Sequence, residues 1–378
     1  SPLSVAVDED SFLVFVSGTN FSTMKNQIRV FAAGAAPPEF VDLTALGDPL
    51  PPPIVVSDNL ANAARIVVDD VLDRLYVINQ TDKTLRVYTY SASLNPPSFS
   101  YAEIAGSPFG IPNDGNPIAA ALDRPGGRLF VLTTSVTGQR IEVLNVAFFP
   151  IVSHLGTHTT GLNLATSLQF RTANATLAVC NRGTTLPGAL GEIAILGTDV
   201  VGPPPYAVDA RVALPQDPFG VRFDFTREKA YVLLGGTQGG VQVFDTSVTP
   251  WAKADGITQT LNGVIDLGGP NALISFDGLS LNEKGGFLFV ARRSASPVDG
   301  DNLVAIDLRA VPYHKPEDGN PLNLTTTQST LATAINNNAI ASPLVDQDRD
   351  RVSDSVDNCP LTPNPKQEDN DSDGLGDA

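Results

Sequence analysis

The chain has 378 residues, with 41 Asp and Glu against 24 Lys and Arg and a formal charge of −17 at pH 7. Acids in such excess, with the bases scattered, exclude a nucleic-acid-binding surface, which needs clustered Lys and Arg; no uncharged apolar run approaches the ~18 residues of a membrane span. A hydrophobic content of 42% is ample for a core, while 32 Gly and 30 Pro point to many turns and few long helices.

In chain order, the first pattern is a nine-residue unit. Asp8 to Val16 reads DEDSFLVFV, Asp69 to Val77 reads DDVLDRLYV, Asp123 to Val131 reads DRPGGRLFV, and Asp224 to Val232 reads DFTREKAYV. Asn282 to Val290 (NEKGGFLFV) fits with Asn for Asp, and Arg171 to Val179 (RTANATLAV) is a degenerate copy. The six copies are spaced by 48 to 61 residues. A period of this length outranks any local assignment of secondary structure.

An apolar run precedes the units, as in Leu3–Val7, Arg65–Val68, Ile118–Leu122 and Phe219–Phe223. An alternating run follows: Ile28–Val30, Leu85–Val87, Ile141–Val143, Ile193–Ile195, Val241–Val243 and Leu303–Ile306. A weaker fourth run comes after some of these, as in Phe40–Leu43, Ala210–Leu214 and Gly263–Leu267. Four short strands per ~50 residues predict an all-β fold, a β-propeller of four-stranded blades. Six units predict six blades over residues 1–342, with Leu322–Leu331 as the outer strand of the sixth; a seventh would have to come from Leu322–Ile340 or from outside the chain. The chain opens on an innermost strand, so the two termini are not expected to share a blade. The unit-heading Asp is expected to accept backbone N–H bonds from the hairpin turn, where Gly126-Gly127 and Gly285-Gly286 add permissive backbone. The third strand, which alternates apolar residues with Arg, Glu or Gln, is expected to have one wetter face. The units resemble YVTN-type and related bacterial surface propellers over roughly residues 1–340, which implies a fold rather than an activity.

The loop from second to third strand varies in length: Val77 to Leu85 is a step of 8, Val179 to Ile193 a step of 14. The face carrying these loops, with Leu50–Asn62 and Ser107–Pro117, is where binding is expected. No nucleophile elbow, zinc-protease helix, phosphate loop or dinucleotide fingerprint occurs. His154 and His158, four apart, would lie on one face of a strand, and a zinc site there is disfavoured against exposed histidines. Asp299-Gly300-Asp301-Asn302 reads as a turn before a calcium loop, and Arg292-Arg293 as solvated arginines before an anion grip. Asn20, Asn79, Asn174 and Asn323 each begin a glycosylation sequon. Cys180, in a strand-like run, reads as a buried thiol rather than a bridge partner of Cys359.

Residues 343–378 form a separate segment. Asp346, Asp348, Asp350, Asp354 and Asp357 fall at positions 1, 3, 5, 9 and 12 of one loop, followed by Asn358-Cys359-Pro360. Asp369, Asp371, Asp373 and Asp377 begin a second such loop. Many carboxylates from one tight turn suit a hard cation such as Ca2+, with the carbonyls of Val352 and Leu375 at position 7. Ten acids against three bases would otherwise repel one another. Both runs resemble the thrombospondin type-3 repeat. Arg351 replaces the glycine of the first loop, and the resemblance implies that the array continues past Ala378 and that Cys359 pairs with a cysteine of a neighbouring repeat.

Together these readings predict a secreted, non-enzymatic calcium-binding propeller at the cell surface or outside the cell, acting as an adhesive module, stalk or fibre subunit. Its expected partners are neighbouring copies or cell-surface and matrix components. Ser1-Pro2 opens the chain without a basic or apolar leader, so a secreted form would already have lost its signal peptide. A lactonase-like hydrolase and a carbohydrate-binding propeller are the alternatives.

Overall fold

The computed structural model describes residues 64–148 except 95–96, most of 150–254, and, within 2–57 and 264–308, the strands and some adjoining turns; residues 309–378 lie outside the described set. Almost all regular structure is β. Sheet one holds Pro2–Asp8, Leu13–Asn20, Lys25–Ala33 and Phe40–Asp42, with Ile54–Ser57 also paired on its third strand. Sheet two holds Ala64–Asp69, Arg74–Asn79 and Thr84–Leu94, with Pro97–Glu103 and Phe109–Gly110 both paired on the last. Sheet three runs Asn116–Asp123, Arg128–Ser135, Gly138–Asn145 and Ser153–His158; sheet four runs Ala165–Arg171, Thr176–Asn181, Gly191–Gly197 and Ala207–Leu214. Sheet five is Pro218–Asp224, Lys229–Leu234 and Gly240–Asp245 with Ala252–Lys253 and Val264–Asp266 outside them, and sheet six shows Leu273–Asn282, Phe287–Arg293 and Asn302–Asp307. The apolar runs before the units, the units' own ends and the alternating runs after them are thus first, second and third strands.

The nine-residue unit is the hairpin between first and second strands. Its register is the same everywhere: Asp8 pairs with Leu13, Asp69 with Arg74, Asp123 with Arg128, Arg171 with Thr176, Asp224 with Lys229 and Asn282 with Phe287. The fourth residue after the unit head sits in the left-handed region, with φ of 49° at Asp73, 59° at Gly127, 47° at Ala175 and 50° at Glu228. The carbonyls of these four residues accept the N–H groups of Tyr90, Val146, Thr198 and Thr246, which ties the end of each third strand to the turn. Four innermost strands also carry a bulge at one shared place, skipping Leu3, Ile118, Thr166 and Phe219.

Innermost strands of successive sheets lie side by side in chain order, the arrangement of a β-propeller. Five apolar clusters fill the seams between consecutive sheets. Phe15, Ile28 and Val30 of sheet one meet Tyr90 and Phe99 of sheet two, and Phe130 of sheet three meets Phe170 and Tyr206 of sheet four. Phe15 and Tyr90 have ring centroids 4.9 Å apart, and Phe223 and Trp251 meet edge-on at 5.4 Å. Each such ring contributes about 1.5–3 kcal/mol by leaving water. The expected count of six blades depends also on residues 309–345, including the proposed outer strand Leu322–Leu331, which lie outside the described residues.

The third strands correct one expectation. Glu142, Glu192 and Gln242 are fully buried, not on a wetter face, whereas Arg29 on the third strand of sheet one is exposed as expected. Each middle sheet is sandwiched between two others, so both of its faces are covered, and a polar side chain on the third strand must be hydrogen-bonded inside a seam.

Candidate functional site

The innermost strands surround a cavity of about 550 Å³. Its walls are largely small and apolar, with Ala6, Val67, Ala119, Ala120 and Leu168 from four different strands. Into this lining come Arg65, Arg222 and Gln169, with Arg124 and Phe225 from the hairpin turns of sheets three and five. Among the described lining residues there is no Asp, Glu or His. Arg65 Nε donates to the carbonyl of Ile118, the bulged residue of sheet three, at 3.0 Å. Thr166, the bulged residue of sheet four, donates to the Pro218 carbonyl at 3.2 Å. The bulges therefore turn backbone and side-chain polar groups toward the next strand and lace the channel wall together. Arg124 lies 2.8 Å from Asp69 and also bonds Asp70, joining sheet three to sheet two.

Three of the four unit-heading Asp residues behave as the sequence predicts, while Asp69 meets Arg124 instead of a turn N–H. Asp8 accepts the Ser11 N–H at 2.9 Å, Asp123 that of Gly126 at 2.9 Å and Asp224 that of Arg227 at 2.8 Å. Their second oxygens are also used. Tyr90 of sheet two donates its hydroxyl to Asp8 at 2.6 Å, and Arg128 binds Asp123 at 2.6 Å while reaching Tyr206 of sheet four. In the degenerate copy, Arg171 donates instead to the Thr246 carbonyl of sheet five at 3.2 Å. Carboxylates so fully engaged are locks between sheets, and they are poorly placed to exchange protons with a substrate.

The two histidines part company. A bulge at Gly156–His154 shifts the outer strand against Val143-Leu144, so the four-residue spacing no longer keeps them on one face. This corrects the expected geometry, in which both shared a face. His154, exposed as expected, bonds Glu142 at 2.9 Å beside Thr157, whose hydroxyl reaches the same carboxylate at 2.7 Å. Asn113, from the segment leading into sheet three, completes the Glu142 shell at 3.0 Å. His158 is fully buried, not exposed as expected. Its Nε2 donates to the Thr160 carbonyl at 2.5 Å, and its Nδ1 accepts the Tyr206 N–H at 3.1 Å. Burial holds its pKa below the ordinary imidazole value, partly offset by the Thr160 carbonyl.

The expected calcium ligands Asp346, Asp348, Asp350, Val352, Asp354, Asp357, Asp369, Asp371, Asp373, Leu375 and Asp377 lie outside the described residues, as do Cys359, Asn323 and Asp299–Asp301. Among the described residues, no three His, Cys, Asp or Glu side chains gather as a metal site, and no helix is long and apolar enough to cross a membrane. Cys180 is buried at the seam of sheets four and five, as expected. Asn79 is buried, and its amide caps the turn by accepting the Thr81 N–H at 2.9 Å and donating to Asp82 at 3.2 Å, which leaves no exposed amide for a glycan. Asn174 is exposed.

Two features escaped the sequence reading. The channel arginines were in view, within the runs Arg65–Val68 and Phe219–Phe223, but those strands were read as almost wholly apolar. The other feature is the turn face. Val71, Leu72, Phe148, Ile151, Phe225 and Val248 are exposed on the hairpins and on the loops between third and fourth strands. Binding had been expected on the opposite face, where Val136 and Leu190 are exposed.

No family model and no curated protein matches the chain. Solved structures do resemble it. A protein from Lactobacillus plantarum is 15% identical with a TM-score of 0.53, the alignment covering 84% of each chain. A functionally unknown protein from Desulfotomaculum acetoxidans is 15% identical with a TM-score of 0.49, over 82% of this chain and 86% of that one. A Bacteroides uniformis protein provisionally assigned as a 6-phosphogluconolactonase is 13% identical with a TM-score of 0.49, over 82% and 87%. The likeness to the Lactobacillus plantarum protein speaks for a shared fold and, at this identity, carries no activity across.

Proposed function

We propose that the chain is a non-enzymatic extracellular module, a rigid propeller joined to a calcium-stiffened type-3 segment at residues 343–378. The observation that carries this reading is the register of Asp346, Asp348, Asp350, Asp354 and Asp357 with Asn358-Cys359-Pro360, repeated from Asp369. Loops of this kind bind calcium weakly and work where calcium is millimolar, outside cells. The composition of the channel adds support. A propeller hydrolase needs an acid, a histidine or a metal at the channel to activate water, whereas the described lining offers arginines, amides and small apolar side chains. The unit-heading acids are spent on turns and seams, which favours rigidity over turnover.

The module's contacts are to neighbouring copies or to surface and matrix components. Sedimentation velocity of the full chain in millimolar calcium and in chelator tests this directly. Calcium-dependent self-association, or calcium-dependent retention on a matrix-coated surface, is expected, with no hydrolysis of lactones, esters or glycosides above background. Turnover abolished by Arg65→Ala, with no effect of calcium on assembly, would favour the hydrolase instead.

A further inference from the structure

We propose that the central channel binds a small amphipathic organic anion, with its carboxylate or other oxyanion on the Arg65 guanidinium and its apolar body along the Val67–Ala119–Ala120 wall. Arg65 is partly buried in a cavity of about 550 Å³, within the usual span of ligand pockets. Its Nε–H is held by the Ile118 carbonyl at 3.0 Å, which fixes the plane of the guanidinium. Among the described residues its terminal amino groups have no acceptor and no carboxylate faces them. A planar fork pinned at one edge and open at the other suits a bidentate oxyanion. The pinning also lowers the entropy lost when a ligand binds.

The choice of an organic rather than an inorganic anion follows from the wall. Alanine, valine and leucine side chains around the arginine reward an apolar body by removing it from water, and they lower the local dielectric, which strengthens the ion pair. Arg222 and Gln169 line the same cavity and add positive charge and amide groups. The chain's overall charge of −17 opposes anions at long range, but that field is screened beyond about 10 Å at ordinary ionic strength.

This inference is independent of the calcium reading. Calorimetry on the full chain in calcium-free buffer, with benzoate, benzyl alcohol and inorganic phosphate as probes, tests it. Benzoate is expected to bind in the sub-millimolar range, with benzyl alcohol and phosphate each at least about tenfold weaker. Arg65→Gln should weaken benzoate by about tenfold or more, and Arg65→Lys, which keeps the charge but not the fork, should fall between. Circular dichroism of each variant confirms folding. No benzoate heat, or binding untouched by Arg65→Gln, overturns the site. Phosphate binding as tightly as benzoate overturns the role of the apolar wall.

Discussion

Asp73, Gly127, Ala175 and Glu228 share a left-handed backbone and a carbonyl bonded to the end of the third strand. Side chains other than glycine are tolerated there, at a cost of about 1–2 kcal/mol each. Gly127 differs because a Cβ would lie 2.5 Å from that of Ala147. Gly127→Ala is therefore expected to lose at least about 2 kcal/mol, strain and overpacking combined, read as a lower denaturation midpoint; an unchanged midpoint would contradict the turn geometry. His158 supplies a pH dependence. Its folded pKa is depressed below the ordinary 6.5 by burial, so the unfolded chain takes up its proton first. The contribution of neutral His158 is whole above about pH 6.5 and is lost as pH falls from there to the folded pKa. Thermal stability of the wild type should weaken as pH falls below about 6.5, and His158→Phe should be less stable at pH 7.5 but flatter as pH falls.

At the scale of the strand and hairpin, much was legible. A turn of constant length leaves a constant spacing between its Asp and its terminal Val, and the pairing of Asp8 with Leu13 recurs at Asp224 with Lys229 because nothing in the turn varies in number. What was not legible depends on neighbours. Glu142 and Gln242 look like surface residues in an alternating strand, and only the stacking of sheets on both faces buries them. The bulge beside His154 leaves no mark in a six-residue strand, yet it sends His154 and His158 to opposite faces. The joint between sheets one and two offers a test. Tyr90→Phe removes only the hydroxyl bonded to buried Asp8 at 2.6 Å and leaves the ring on Phe15. A loss of about 1–3 kcal/mol is expected, and a loss under about half a kcal/mol would show that the hydroxyl does not tie the sheets.

For the molecule as a whole, propeller and tail make separate demands. The propeller draws its order from apolar seams and hydrogen-bonded turns. The tail carries seven more acids than bases, and on the proposed reading a cation offsets their repulsion. The central claim is that residues 343–378 hold calcium, and calorimetric titration of the full chain with calcium tests it most directly. Uptake at micromolar to millimolar calcium is expected, abolished when Asp346, Asp348, Asp369 and Asp371 are all changed to Asn, with the propeller's thermal transition nearly unmoved. No uptake at several millimolar calcium, or uptake that survives those four substitutions, would contradict it.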